Sequence, residues 1–146
     1  MHEMNEFFTR QKANEGVRLP LTLPDGTKTE HFLVIRGIDS DAFREAETEA
    51  KRQAMELSMI GDEEEKQQAI KDKKLSLVAS LVLDWSFEQA CSPENVKAFL
   101  LEAPQIADQV DQLAARRALF FDKRLSSFSG SQSANGSSAK SRPDLG

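Results

Sequence analysis

In 146 residues the chain has one cysteine, Cys91, and two histidines, His2 and His31. A lone thiol excludes an internal disulfide and fits a reducing compartment. With no His nearby to activate it, Cys91 reads as an inert, packed thiol. The histidines are isolated from each other, one terminal and one inside a strand pattern. There is no GxxxxGK[ST] phosphate loop, no GxGxxG after a strand, no HExxH and no CxxC. Basic residues are in the minority: 19 Lys and Arg against 24 Asp and Glu, a formal net charge of -5. Phosphate contacts need clustered Lys and Arg, so nonspecific nucleic-acid binding is excluded as an expectation. No apolar run approaches the roughly 18 residues that would span a bilayer. The first dozen residues, with Glu3 and Glu6, lack the apolar centre of a secretory signal. A cytosolic protein without a cofactor, a metal or an active site is expected.

Hydrophobic residues make up 39% and charged residues 29%, which suits one folded domain carrying a tail. Residues 1–16 read as an arm whose Phe7 and Phe8 dock on the core. Val17, Leu19, Leu21 and Leu23 alternate with polar positions, the period of a half-buried strand. Pro20 cannot donate to a ladder, which puts this strand at an edge. Pro24-Asp25-Gly26-Thr27 is a turn: Pro presets φ, Asp caps its own backbone and Gly takes the positive φ. The run Phe32, Leu33, Val34, Ile35 then returns, with both faces partly covered. Residues 17–36 are therefore predicted to form a β-hairpin, which must pack on helices or pair through its edge.

Four helices are predicted after it. The first spans about residues 40–60, with Asp39 as N-cap, an inner stripe of Phe43, Ala46, Ala50, Ala54 and Leu57, and Gly61 as C-cap. The second spans 62–84 and closes on Asp84-Trp85. Its acidic start, Asp62-Glu63-Glu64-Glu65, and its Lys71, Lys73 and Lys74 complement the helix dipole and form no metal site. Ser92 and Pro93 open the third, 92–103, as N-cap and first helical residue. Pro104 separates it from the fourth, about 104–125, whose apolar face carries Ile106, Val110, Leu113, Phe120 or Phe121, Leu125 and Phe128. Residues 129–146, rich in Ser and Gly, cannot bury enough apolar area to offset their ordering entropy and read as a flexible tail. The fold class is α+β, mainly α-helical, with a hairpin packed on about four helices.

One set of residues resembles a known family. Trp85-Ser86-Phe87, Cys91-Ser92-Pro93-Glu94-Asn95-Val96, Phe99-Leu100-Leu101, Pro104-Gln105-Ile106-Ala107 and Phe120 follow the pattern of the tail assembly chaperones of long-tailed bacteriophages. The hairpin around Pro24-Asp25-Gly26 and the segment Arg36-Gly37-Ile38-Asp39-Ser40 are similar to members of the same group. The resemblance covers most of residues 17–128. It implies a protein of the host cytoplasm that binds the tape measure protein, keeps it soluble and brings tail tube protein to polymerise around it. It also implies absence from the mature virion, and in many members a longer form made by frameshifting near the end of the frame. A partner-binding groove is expected between the 106–128 face and the helix ending at Trp85, lined by Leu81, Trp85, Ile106, Val110, Leu113, Phe120 and Phe121. Self-association is left open. The alternative is a small phage structural protein, a connector or tail completion subunit, retained in the particle through its hairpin edge.

Overall fold

The structure, a computed structural model, describes residues 1–122. A 3-10 turn at Met4–Phe7 leads into α1 (Arg10–Glu15), β1 (Val17–Thr22) and β2 (Lys28–Ile35). Next come α2 (Asp41–Leu57), α3 (Glu63–Ala79), β3 (Val82–Trp85), α4 (Pro93–Glu102), α5 (Pro104–Ala114) and a 3-10 turn at Arg117–Phe121. The class is α+β, with the helices gathered on an antiparallel sheet. The predictions for Leu125, Phe128 and the 129–146 tail fall outside the described residues.

The hairpin forms as its residues dictate. Gly26 takes a φ of 92°, the Thr27 N–H donates to Asp25 Oδ1 at 2.9 Å, and the Leu23 N–H donates to the Thr27 carbonyl at 2.8 Å. Val17, Leu21, Leu33 and Ile35 are buried. On the outer face, the Arg18 guanidinium lies 3.8 Å over the Phe32 ring, so both sides of β2 are covered.

The hairpin gains a third strand, which the sequence reading placed inside a helix. The predicted 62–84 helix ends at Ala79, and residues 82–85 pair with β2 to give the order β1-β2-β3. Arg36 N–H to Leu81 C=O at 2.8 Å and Ser86 N–H to Phe32 C=O at 3.1 Å bracket the pairing. The physical reason is tertiary: packing Leu33 and Ile35 between a strand and the helices outweighs the helical tendency of one more turn. A bulge between Val34 and Ile35 shifts the register, so Val82 and Trp85, three apart, both face inward.

Other boundaries move for local reasons. Ser40, not Asp39, caps α2, its buried hydroxyl accepting from the Phe43 N–H at 3.3 Å. Gly61 is not a left-handed cap, since among the described glycines only Gly16 and Gly26 have positive φ. The end of α2 tightens instead, with Met59 N–H to Glu56 C=O and Ile60 N–H to Leu57 C=O, both at 3.1 Å. Ala54, assigned to the inner stripe, is exposed, while Ala46, Ala50 and Leu57 are half-buried. The predicted 104–125 helix stops at Ala114, whose carbonyl accepts the Ile38 N–H at 3.2 Å. Phe7 and Phe8 do not dock; they are 76% and 60% exposed on the 3-10 turn and the residue after it.

Candidate functional site

The groove predicted between the fourth helix and the helix before Trp85 is closed. Leu81 and Val110 are 0% exposed, Phe120 3%, Ile106 4% and Trp85 8%. Leu113 is half-buried against the same core, and only Phe121, at 46%, reaches solvent. The two apolar seams meet each other and the inner face of β2, where Leu33 and Ile35 occupy the space a guest would need. Freeing five such side chains at about 2 kcal/mol each would cost on the order of 10 kcal/mol. That is comparable to the whole stability of a domain this size. Leu81, Trp85, Ile106, Val110 and Phe120 are thus core residues, and assigning them to partner binding is corrected.

Trp85 anchors an aromatic cluster. Its ring meets Phe87 edge-on at 5.2 Å and Phe99 at 5.9 Å, while Phe87 and Phe99 lie 5.2 Å apart. Its indole N–H donates to the Gln89 carbonyl at 2.7 Å, which holds the loop between β3 and α4. His31, read as isolated, stacks on Phe87 at 4.7 Å and puts Nδ1 3.0 Å from Ser86 Oγ. That hydroxyl accepts from the Phe32 N–H at 2.9 Å and donates to the Phe32 carbonyl at 3.3 Å. It is committed to tying β2 to the end of β3 and is not poised as a nucleophile. Burial, and after it the nearby Asp84 charge, pushes the Cys91 thiol up, so at neutral pH it stays a neutral thiol.

The strongest ionic feature is also structural. Asp39 is 13% exposed and accepts from Arg117 at 2.7 and 2.9 Å and from Arg44 at 2.9 Å. The Arg117 hydrogen bonds, then those of Thr9 and Arg44, hold its carboxyl well below the usual carboxylate range. This clamp joins the arm, the start of α2 and the last 3-10 turn. The hollow beside it, lined by Thr9, Ala13, Gly37, Ala114 and Phe120 among others, offers about 10 Å³, room for no more than about one water. Among the described residues no group of three or more His, Cys, Asp or Glu is placed to hold a metal, and no helix is long and apolar enough to cross a membrane.

Besides the exposed Phe7, Phe8, Leu101 and Phe121, large apolar side chains are exposed at the far end of the α2–α3 hairpin. Both helices have 17 residues, about 25 Å at 1.5 Å per residue. Phe43 at the start of α2 and Ala79 at the end of α3 are their buried residues, so the other ends run out past the core. There Leu57 and Ile60 are half-buried, while Met55 and Met59 are 75% and 85% exposed. Met55 lies in the last turn of α2 and Met59 in the turn that follows its C-cap, Ser58. The next turn is acidic. Asp62 caps α3 by accepting from the Glu64 and Glu65 N–H groups at 2.9 and 3.2 Å. From Gln53 to Glu65 there are five carboxylates and no Lys or Arg. Glu56 is paired with Arg52, which also holds Glu49; among the described residues Glu63, Glu64 and Glu65 have no cation at ion-pair distance. The reading from sequence followed the alanine stripe and passed over this surface. Two methionines set off that stripe, just before an acidic run, are the signal that could have found it.

Both sheet edges carry devices against strand addition. Pro20 brings no N–H to β1, and a register shift follows it. On β3 the Trp85 N–H donates to its neighbour Asp84 Oδ1 at 2.9 Å, which removes one donor from the ladder. Comparison with known proteins finds no matching family model, no matching curated protein and no matching solved structure.

Proposed function

We propose that the chain is a tail assembly chaperone of a long-tailed bacteriophage, a non-catalytic protein that acts by binding. Its partner in this reading is the tape measure protein, a long chain rich in amphipathic helix. Apolar stripes on such a chain self-associate unless covered. The chaperone covers some of them in the host cytoplasm and yields them as tail tube protein polymerises, and it is absent from the finished virion. The observation that carries the reading is the bare apolar end of the α2–α3 hairpin on a molecule whose core is otherwise sealed. Helix-on-helix contact needs such a surface. Moderate affinity, which release requires, suits a small patch better than a deep groove.

The resemblance at Trp85-Ser86-Phe87 and Ser92-Pro93-Glu94-Asn95 supports the same reading, and the residues it rests on build the aromatic cluster and the α4 cap. A retained connector or tail completion subunit that joins neighbours through a sheet edge is less well supported, because Pro20 and Asp84 both work against edge pairing. Co-expression with the long helical protein of the same phage tests the proposal. The expected result is a soluble complex that elutes together, and no peptide of this chain in purified virions by mass spectrometry. An insoluble partner whose yield the chain does not change, or stoichiometric amounts of the chain in virions, would overturn it.

A further inference from the structure

We propose that the end of the α2–α3 hairpin, residues 51–66, is a docking site for a basic amphipathic helix of a partner chain. The inference names the chemistry of the partner and rests on the binding role argued above. Two features select that occupant. Met55 and Met59 present long, flexible, polarisable side chains to solvent, which adapt to an apolar helical stripe without demanding one shape. Around them negative charge predominates: Glu63, Glu64 and Glu65 are exposed and carry no ion-paired cation among the described residues, Asp62 adds a fourth carboxylate, and against these stand Lys51 and Lys66 at the two flanks of the patch. Arg52, the nearest cation on α2, is neutralised by Glu49 and Glu56. An acidic helix would be repelled and a neutral one would gain nothing from the rim. A helix with Leu-type residues on one face and Lys or Arg beside them gains both contacts.

The test uses the full chain and two synthetic helices of about 18 residues, ~27 Å long. One alternates Leu and Lys at amphipathic spacing, and the other has Glu in place of Lys. Fluorescence anisotropy is expected to show binding of the Leu/Lys peptide at least about tenfold tighter than of the Leu/Glu peptide. Met55→Gln with Met59→Gln, and separately Glu63→Gln with Glu64→Gln and Glu65→Gln, should each weaken it by about tenfold. Met55 and Met59 are exposed, so the melting temperature of that variant should stay within a few degrees of the parent. The variant at Glu63, Glu64 and Glu65 loses the first-turn charges that favour the α3 dipole, and its binding is compared with the parent's well below its own melting transition. Full binding in the methionine variant would mean general charge attraction and overturn the proposal; so would equal binding of both peptides. Photo-crosslinking of the unaltered chain to the Leu/Lys peptide needs no variant: adducts within residues 51–66 support the site, and adducts confined elsewhere refute it. The two claims fail separately. If the tape measure protein co-purifies equally with the methionine variant, the docking site is wrong and the chaperone reading stands. If the peptide docks but no tail protein is bound, the reverse holds.

Discussion

Asp39 shows how much a single residue organises here. Sequence spacing gives it to the α2 cap, yet the shorter Ser40 takes that role, because its hydroxyl reaches the Phe43 N–H from a fully buried position. Asp39 is then free to meet Arg44 five residues ahead and Arg117 seventy-eight residues ahead. No local pattern announces the second contact, which exists only once α5 has stopped at Ala114. Asp39→Asn should destabilise the fold by about 1–2 kcal/mol at neutral pH, since a charge-assisted pair is lost and both arginines stay half exposed. The folded carboxyl is held below its ordinary value. Its contribution is therefore complete above the unfolded pKa of about 4 and fades as pH falls through and below that value. Denaturant melts of the parent and the variant should accordingly begin to converge below about pH 4, the gap narrowing steadily as pH falls further toward the low folded value. A difference that persists unchanged at pH 3 would show that shape, not charge, is what the substitution removed.

Among the elements, the hairpin, α4 and the starts of α2 and α3 were legible, because each has a local cause: Asp25-Gly26 in the turn, Ser92-Pro93 at a cap, acid at the front of α3. β3 was not. A strand is recognised by alternation, and the bulge opposite Val82 breaks the alternation. What remains, Leu81-Val82-Leu83-Asp84-Trp85, fits a helix as well as a strand until β2 is there to pair with it. The end of α5 was hidden for a similar reason, since its last carbonyl is claimed by Ile38, distant in sequence. The sheet that results has two open edges, each blunted by one residue. Replacing Pro20 by Thr and Asp84 by Ala together should restore edge donors and increase self-association. Light scattering at rising concentration is expected to show larger species for the double variant and not for the parent. Equal behaviour would mean that the edges are protected by something other than these two side chains.

For the whole molecule, the sequence carried the large apolar residues of the second half correctly as one packed unit but misjudged their use. Leu81, Trp85, Ile106, Val110 and Phe120 look surplus to a small helical pair; they are needed once a three-stranded sheet has to be covered. The surface proposed here for a partner is instead the part of the hairpin that outruns the core, and there composition says little, because an exposed Met is common. Its meaning comes from position, at a helix end beside Glu63, Glu64 and Glu65, which have no cation at ion-pair distance among the described residues. The sealed core and the open hairpin end also imply different local stabilities, with amides of β2 and α5 exchanging slowly and those near residues 53–65 exchanging fast in the free chain.

Amide hydrogen exchange of the chain alone and in the complex proposed here with a tape measure protein therefore tests the central claim most directly. Slowed exchange concentrated in residues 51–66, with β2 and α5 unchanged, is the predicted result. Protection that appears only in the α5 and Trp85 region, with the hairpin end exchanging as fast as before, would contradict it.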